Sequence, residues 1–260
     1  MPSPLNYSYF EKNDSEVLLV VIHGLFGTMD NLSVVRRHFV DSMNVLTIDL
    51  LDHGESKHID NFSLDACVDA LLPLIQQYKK SKVAIVGHSL GGKVAMRFAL
   101  RYPDELDSLI VADIAPVTYK PRHDDIFKGL NSVDLGAVSK RSDADSAMTP
   151  LIPEAGVRQF LLKSLYQNEQ KNWQWRFNLA GLEANYQEII GWQTIDAVFD
   201  KPTLFIKAGN SDYIDMNMQG TIADYFPKAR AHVIEGVGHW LHSEKPDAFN
   251  RIIEKQLARP

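Results

Sequence analysis

The chain has 260 residues, 45% of them apolar and 23% charged, which suits one large α/β domain or one domain with a sizeable insertion. Its formal charge of −6, with no basic run, gives nucleic-acid binding no electrostatic support. The single cysteine, Cys67, excludes an internal disulfide and a thiolate zinc cluster.

The opening "MPSPLNYSYFEKNDSE" lacks the basic start and apolar middle of a secretory leader. The longest apolar runs are strand-length, short of the roughly 20 residues that span a bilayer. The expectation is a cytoplasmic protein with no stable membrane insertion. Short runs rich in Val, Ile and Leu then alternate with helical spacing. "EVLLVVIHG", "MNVLTIDL", "KVAIVGHS" and "LDSLIVADI" read as strands. "NLSVVRRHFVDS", "LDACVDALLPLIQQYKK" and "GGKVAMRFALRYP" read as the helices between them. Cys67 falls within the second helix, in a buried apolar role with no cationic neighbour to activate it. Continuous apolar strands separated by helices predict a mostly parallel sheet covered on both faces.

From Val117 to Ile195 no buried-strand pattern appears. "GVRQFLLKSLY" is helical, and "NWQWRFNLAGLEANYQEIIGW" is rich in aromatics. Residues 117–195 are therefore expected to form a helical cap inserted into a core built from 1–116 and 196–260. The alternation resumes with the strands "PTLFIKAG" and "ARAHVIEG" and the helices "NMQGTIADYF" and "PDAFNRIIEKQLA". There is no G-x-G-x-x-G, no phosphate loop and no H-E-x-x-H, and no metal site is expected.

"VAIVGHSLGGKVAMRFAL" places Ser89 where a strand stops and a helix starts. The tight turn this requires tolerates only small residues two positions before and two after, which are Gly87 and Gly91, and Gly92 relieves crowding further. This is the G-x-S-x-G nucleophile elbow. A hydroxyl needs a base, and His239 in "VIEGVGHWLHSEKPDAF" lies on a loop between a strand and a helix. His242 faces elsewhere or caps the next helix, and His88 packs beneath the elbow. Two aspartates stand at strand ends between serine and histidine, Asp113 in "LIVADI" and Asp212 in "GNSDYID", and chain order does not choose between them. In "VVIHGLFGTMDN" the glycines let the loop fold over the serine, so the N–H groups of Leu25 and Leu90 become the expected oxyanion hole. His23 reads as a buried histidine bonded to the loop backbone.

These pieces resemble the α/β-hydrolases, and among them the bacterial YbfF-type esterases. The likeness rests on "HGLFGTMDN", "GHSLGGK", "DIAPVTY", "RHDDIF", "QFLLKSL", "WRFNL", "GWQTI", "GNSDY" and "GHWLHSEKPDAF". It implies the α/β-hydrolase fold, and hydrolysis of esters or acyl-CoA-type thioesters through an acyl-enzyme, without a cofactor, by a monomer or dimer. It also implies that the acid is Asp113, with Asp212 as the alternative. One departure is that Leu51 and Asp52 stand where relatives carry Arg followed by Asn or Gly, a segment read as structural. Phe26, His88, Phe127, Trp175, Tyr213 and Trp240 are candidate substrate contacts, with Phe160, Leu161 and Trp173 as further candidates for the apolar pocket. Lys93, Arg122 and His123 are weighed between a phosphate-bearing leaving group and plain solvation. A carbon–carbon bond hydrolase or a perhydrolase would use the same triad, and a binding protein that has lost activity is the alternative from another class.

Overall fold

The computed structural model describes residues 3–259; Met1 and Pro2, the first two residues of the opening segment, lie outside them. Seven strands form one sheet: β1 (Tyr7–Phe10), β2 (Val17–Ile22), β3 (Asn44–Ile48), β4 (Lys82–His88), β5 (Ser108–Ala112), β8 (Thr203–Ala208) and β9 (Ala229–Ile234), in the order β1-β3-β2-β4-β5-β8-β9. All pairs are parallel except β1 with β3. β1 eluded the sequence reading because its four residues are only half-buried and show no apolar run.

The apolar strands serve both faces. Leu18, Val20, Ile22, Ile85 and Val111 join a core with residues of α2 (Leu64–Tyr78) and α3 (Leu90–Arg101), such as Leu71, Val94 and Phe98. Their neighbours Leu19, Val21, Val86 and Ile110 join a second core with Phe39 of α1 (Ser33–Phe39) and Phe249 of α11 (Pro246–Leu257). This alternation is the period-2 geometry of a strand covered twice. Cys67 is buried within α2, and burial pushes its thiol up.

Between β5 and β8 lie α4 (Asp124–Asn131), α5 (Arg141–Met148), α6 (Ala155–Leu162), the antiparallel hairpin of β6 (Leu165–Gln167) and β7 (Trp173–Trp175), α7 (Leu179–Ala184) and α8 (Tyr186–Ile190). The segment holds five helices and also a hairpin of three-residue strands, too short to register as a pattern. After β8 come α9 (Gln219–Tyr225), then β9, α10 (Leu241–Glu244) and α11. No helix among the described residues is long and apolar enough to cross a membrane.

The segment between β5 and β8 is fastened to the sheet by polar contacts. Lys93 of α3 is buried and donates to the carbonyls of Ile189, Ile190 and Gly191 at 3.3, 2.6 and 2.7 Å, so the expectation that it is plainly solvated is corrected, although it borders a small cavity that Ser89 also lines. Burial draws its ammonium down to about 7, while three carbonyls take its three protons. Arg97, one turn on, donates to the Gln193 carbonyl at 2.9 Å. Asp52, at φ 63°, accepts from the Ile59 N–H at 2.8 Å and from Asn178 Nδ2 at 3.1 Å. Leu51 is buried beside it, which agrees with a structural role for this loop.

Candidate active site

The strands that carry site residues deliver them at their C-terminal ends, where ligands bind in open α/β sheets. Leu25 follows β2, Ser89 follows β4, Asp113 follows β5, Tyr213 follows β8 and His239 follows β9. Ser89 has φ 52° and ψ −120°, a strained backbone for a residue with a side chain. Its amide is held by the Ala112 carbonyl at 3.0 Å. A Cβ at Gly87 would collide with the Gly91 carbonyl, and one at Gly91 with the carbonyls of Ile22 and His23. The elbow therefore leaves no room at either position.

Asp113 is fully buried, at φ 51°. Its Oδ1 accepts the Ala208 N–H at 2.9 Å, and its Oδ2 accepts His239 Nδ1 at 2.8 Å. With a carboxylate on Nδ1, the ring carries its proton there and Nε2 is left as the basic nitrogen. Asp212, by contrast, is paired with Arg122 at 2.8 Å, and its side chain is 80% exposed. Of the two aspartates, only Asp113 meets the histidine.

Ser89 and His239 line one cavity of about 80 Å³ without being hydrogen-bonded to each other. Leu25, Phe26, His88, Phe160, Leu161 and Trp240 are among its other walls. Leu90 opens α3, where the first amides have no intrahelical carbonyl, and the Leu25 amide has no acceptor among the described residues. A second cavity of about 30 Å³ touches Ser89 from the other side, and its walls include Leu25, Leu90, His123 and Tyr213. Ile126 and Val157 also line the first cavity and escaped the sequence reading. Their place on the short helices α4 and α6 was the available signal.

Two expected pocket residues are corrected. Phe127 packs edge-on against Phe26 at 5.3 Å, and Trp175 stacks on Phe177 at 5.4 Å. Phe177 lies 5.2 Å from Phe26, so Phe127, Trp175 and Phe177 form a cluster behind Phe26, and Phe26 is the ring of the group that lines the cavity. Their apolar faces are satisfied by one another. Tyr213 instead stacks on the His239 ring, with centroids 4.0 Å apart and planes at 17°.

Buried histidines surround the site. His23 donates Nδ1–H to the Gly24 carbonyl at 2.8 Å and accepts the Leu50 N–H at Nε2, as a satisfied loop histidine should. His88 donates Nε2–H to the His239 carbonyl at 2.8 Å, fixing the loop that carries the base. His242 is also buried, 4.6 Å from His88. His123 bonds Tyr186 at 2.6 Å through Nδ1.

His53 is buried against His23 with ring centroids 5.2 Å apart and donates Nδ1–H to the Leu51 carbonyl at 2.8 Å. Desolvation holds all five neutral: His53 and His242 are pushed down to about 3, His123 to about 4, and His23 and His88 are lowered as well. Their folded values lie below the unfolded value near 6.5, so the unfolded chain binds more protons as the pH falls. Stability present at pH 7 is therefore lost from about pH 6.5 downward. At pH 5, His53 and His242 each cost about 2 kcal/mol. The thermal midpoint is expected to drop by roughly 10 °C between pH 7.5 and pH 5. Scanning calorimetry across that range checks it, and a flat profile would contradict the assignment of neutral buried imidazoles.

The chain matches the family described as alpha/beta hydrolase fold over residues 17–246. It is 40% identical to "Esterase YbfF" of Escherichia coli (strain K12), over 95% of this chain and 94% of that protein. It is 33% identical to "sn-1-specific diacylglycerol lipase ABHD11" of Mus musculus, over 99% of this chain and 86% of that one. Among solved structures, "Marine microorganism esterase" superposes with a TM-score of 0.92 at 33% identity, covering 96% of this chain and 98% of that chain.

Proposed function

The chain belongs to the α/β-hydrolase fold family, and from that premise we propose that it is a serine hydrolase cleaving carboxylic esters through an acyl-enzyme on Ser89. The observation that carries the reading is the bond between His239 Nδ1 and the buried Asp113, which leaves Nε2 as a base in the cavity Ser89 shares. In this reading His239 takes the Ser89 proton as the hydroxyl attacks the acyl carbonyl. The N–H groups of Leu25 and Leu90 receive the charge that develops on the carbonyl oxygen. Collapse expels the alcohol, which takes the proton from His239, and water repeats the sequence to release the acid. Asp113 holds the ring in its working tautomer and stabilises the imidazolium. Thioesters fall within the same reading, because a thiolate leaves more readily than an alkoxide and needs less help from the acid.

Labelling with a fluorophosphonate probe tests it. A stoichiometric adduct at Ser89, found by peptide mass spectrometry and lost in His239→Ala, is expected. Folded protein that takes up no probe would sink the proposal.

A further inference from the structure

The exposed Asp212, at the end of β8, takes no part in the bond to His239, yet it is tied to it through two other side chains. Its Oδ1 accepts from Arg122 Nη1 at 2.8 Å. The Arg122 guanidinium sits 4.4 Å from the centroid of the Tyr213 ring. Tyr213 in turn stacks on His239 at 4.0 Å, nearly parallel. Two groups so close to one ring cannot share a face, so the phenol is sandwiched between guanidinium and imidazole. The Tyr213 backbone is held as well, its carbonyl accepting from the Tyr119 hydroxyl at 2.6 Å. The Tyr213 hydroxyl lies 3.4 Å from His123 Nε2 and also interacts with the Arg122 guanidinium. The ring face is engaged as well, by Arg122 and by His239.

We propose that Tyr213 is a positioning residue that fixes the plane of the His239 imidazole, with Arg122 and Asp212 clasping it from outside. The proposal rests on His239 being the base of the hydrolase reading above. Asp113 fixes one atom of the ring, Nδ1, and His88 meets it only at an inclined 42° with centroids 4.7 Å apart, which leaves the ring able to tilt about the Nδ1 bond. A flat aromatic face at stacking distance removes the tilt and keeps water off that side. Tyr119 and Arg122 belong to the segment between β5 and β8, so the clasp also couples that segment to the base.

The weights within the clasp are unequal. Aromatic stacking contributes about 2- to 13-fold in an equilibrium, and a base displaced by about 1 Å can cost about 100-fold in rate. An exposed ion pair contributes little, so Asp212 is the weakest member.

Steady-state kinetics with p-nitrophenyl acetate and the rate of fluorophosphonate labelling test it in the full chain. Tyr213→Ala and Tyr213→Leu are expected to lower kcat about 10- to 100-fold with KM within about twofold, and labelling should slow in parallel. Tyr213→Phe should recover most of the loss. Arg122→Ala and Asp212→Asn should each lower kcat about 2- to 5-fold, and the double variant should be no worse than Arg122→Ala alone. Leu performing as well as Phe would overturn the proposal, because bulk alone would suffice. So would Phe performing as poorly as Ala, or a rise in KM with kcat intact, which would mean that Tyr213 acts as a substrate-contacting wall of the smaller cavity rather than on His239. A parent protein that neither hydrolyses nor labels overturns this proposal together with the hydrolase reading, whereas a labelled parent with an unaltered Tyr213→Ala overturns this proposal alone.

Discussion

Ser89→Ala is expected to lower kcat for a p-nitrophenyl ester by about 10⁶-fold. The size follows from the absence of a substitute nucleophile. His239 has its Nδ1 committed to Asp113, His88 and His123 are bonded to a backbone and a tyrosine oxygen, and burial holds the His242 imidazole neutral within its packing. What survives is water attack assisted by the Leu25 and Leu90 amides, which leaves about 10³–10⁴ over the uncatalysed rate. The fold should tolerate the change, because the Ser89 hydroxyl makes no hydrogen bond among the described residues and the tight turn around it depends on the flanking glycines. Burst and steady-state kinetics, with circular dichroism as the folding control, decide the matter. A variant retaining a tenth of the parent rate would remove Ser89 from the mechanism.

Asp113→Asn is the second large effect, about 10⁴-fold in kcat. An amide cannot serve both partners as the carboxylate does. Ala208 presents an N–H to Oδ1 at 2.9 Å, so the asparagine oxygen turns toward it and its NH₂ faces His239. An NH₂ opposite Nδ1 demands a lone pair there, which moves the ring proton to Nε2 and disarms the base. The geometry stays intact while the tautomer is wrong. Asp212→Asn should cost less than about tenfold, because its carboxylate is exposed and touches only Arg122. Parallel kinetics on the two asparagine variants check this, and loss of turnover in Asp212→Asn alone would reverse the assignment.

Much of the architecture was legible because buried parallel strands and the helices between them leave strong periodic signals, and a serine flanked by glycines at such a junction has few bland explanations. Which aspartate meets His239 was not legible from residues alone. Asp113 and Asp212 both follow apolar strands, and what separates them is which reaches a loop more than a hundred positions away for one and less than thirty for the other. Lys93 was misjudged for a related reason. A lysine in an otherwise apolar helix looks solvated until the carbonyls at the end of α8 are brought against it. Phe127 and Trp175 show a third limit, since an aromatic side chain reads the same whether it faces a ligand or another ring. β1 and the β6–β7 hairpin are too short to carry any period at all.

Lys93 stands four residues after the serine, on the helix that Leu90 opens, and it grips the last turn of α8 with all three of its protons. With Arg97 holding Gln193 beside it, the returning limb of the inserted segment is riveted to the rigid part of the molecule. Earlier in its path the same segment is pinned again, by the Ser164 hydroxyl on the Phe26 carbonyl, the Arg176–Glu55 ion pair and the Phe160 ring against Trp240 at 5.6 Å. The inserted segment is therefore fastened to the rest of the fold at several separate points, of which the Lys93 grip and the Ser164 bond are buried.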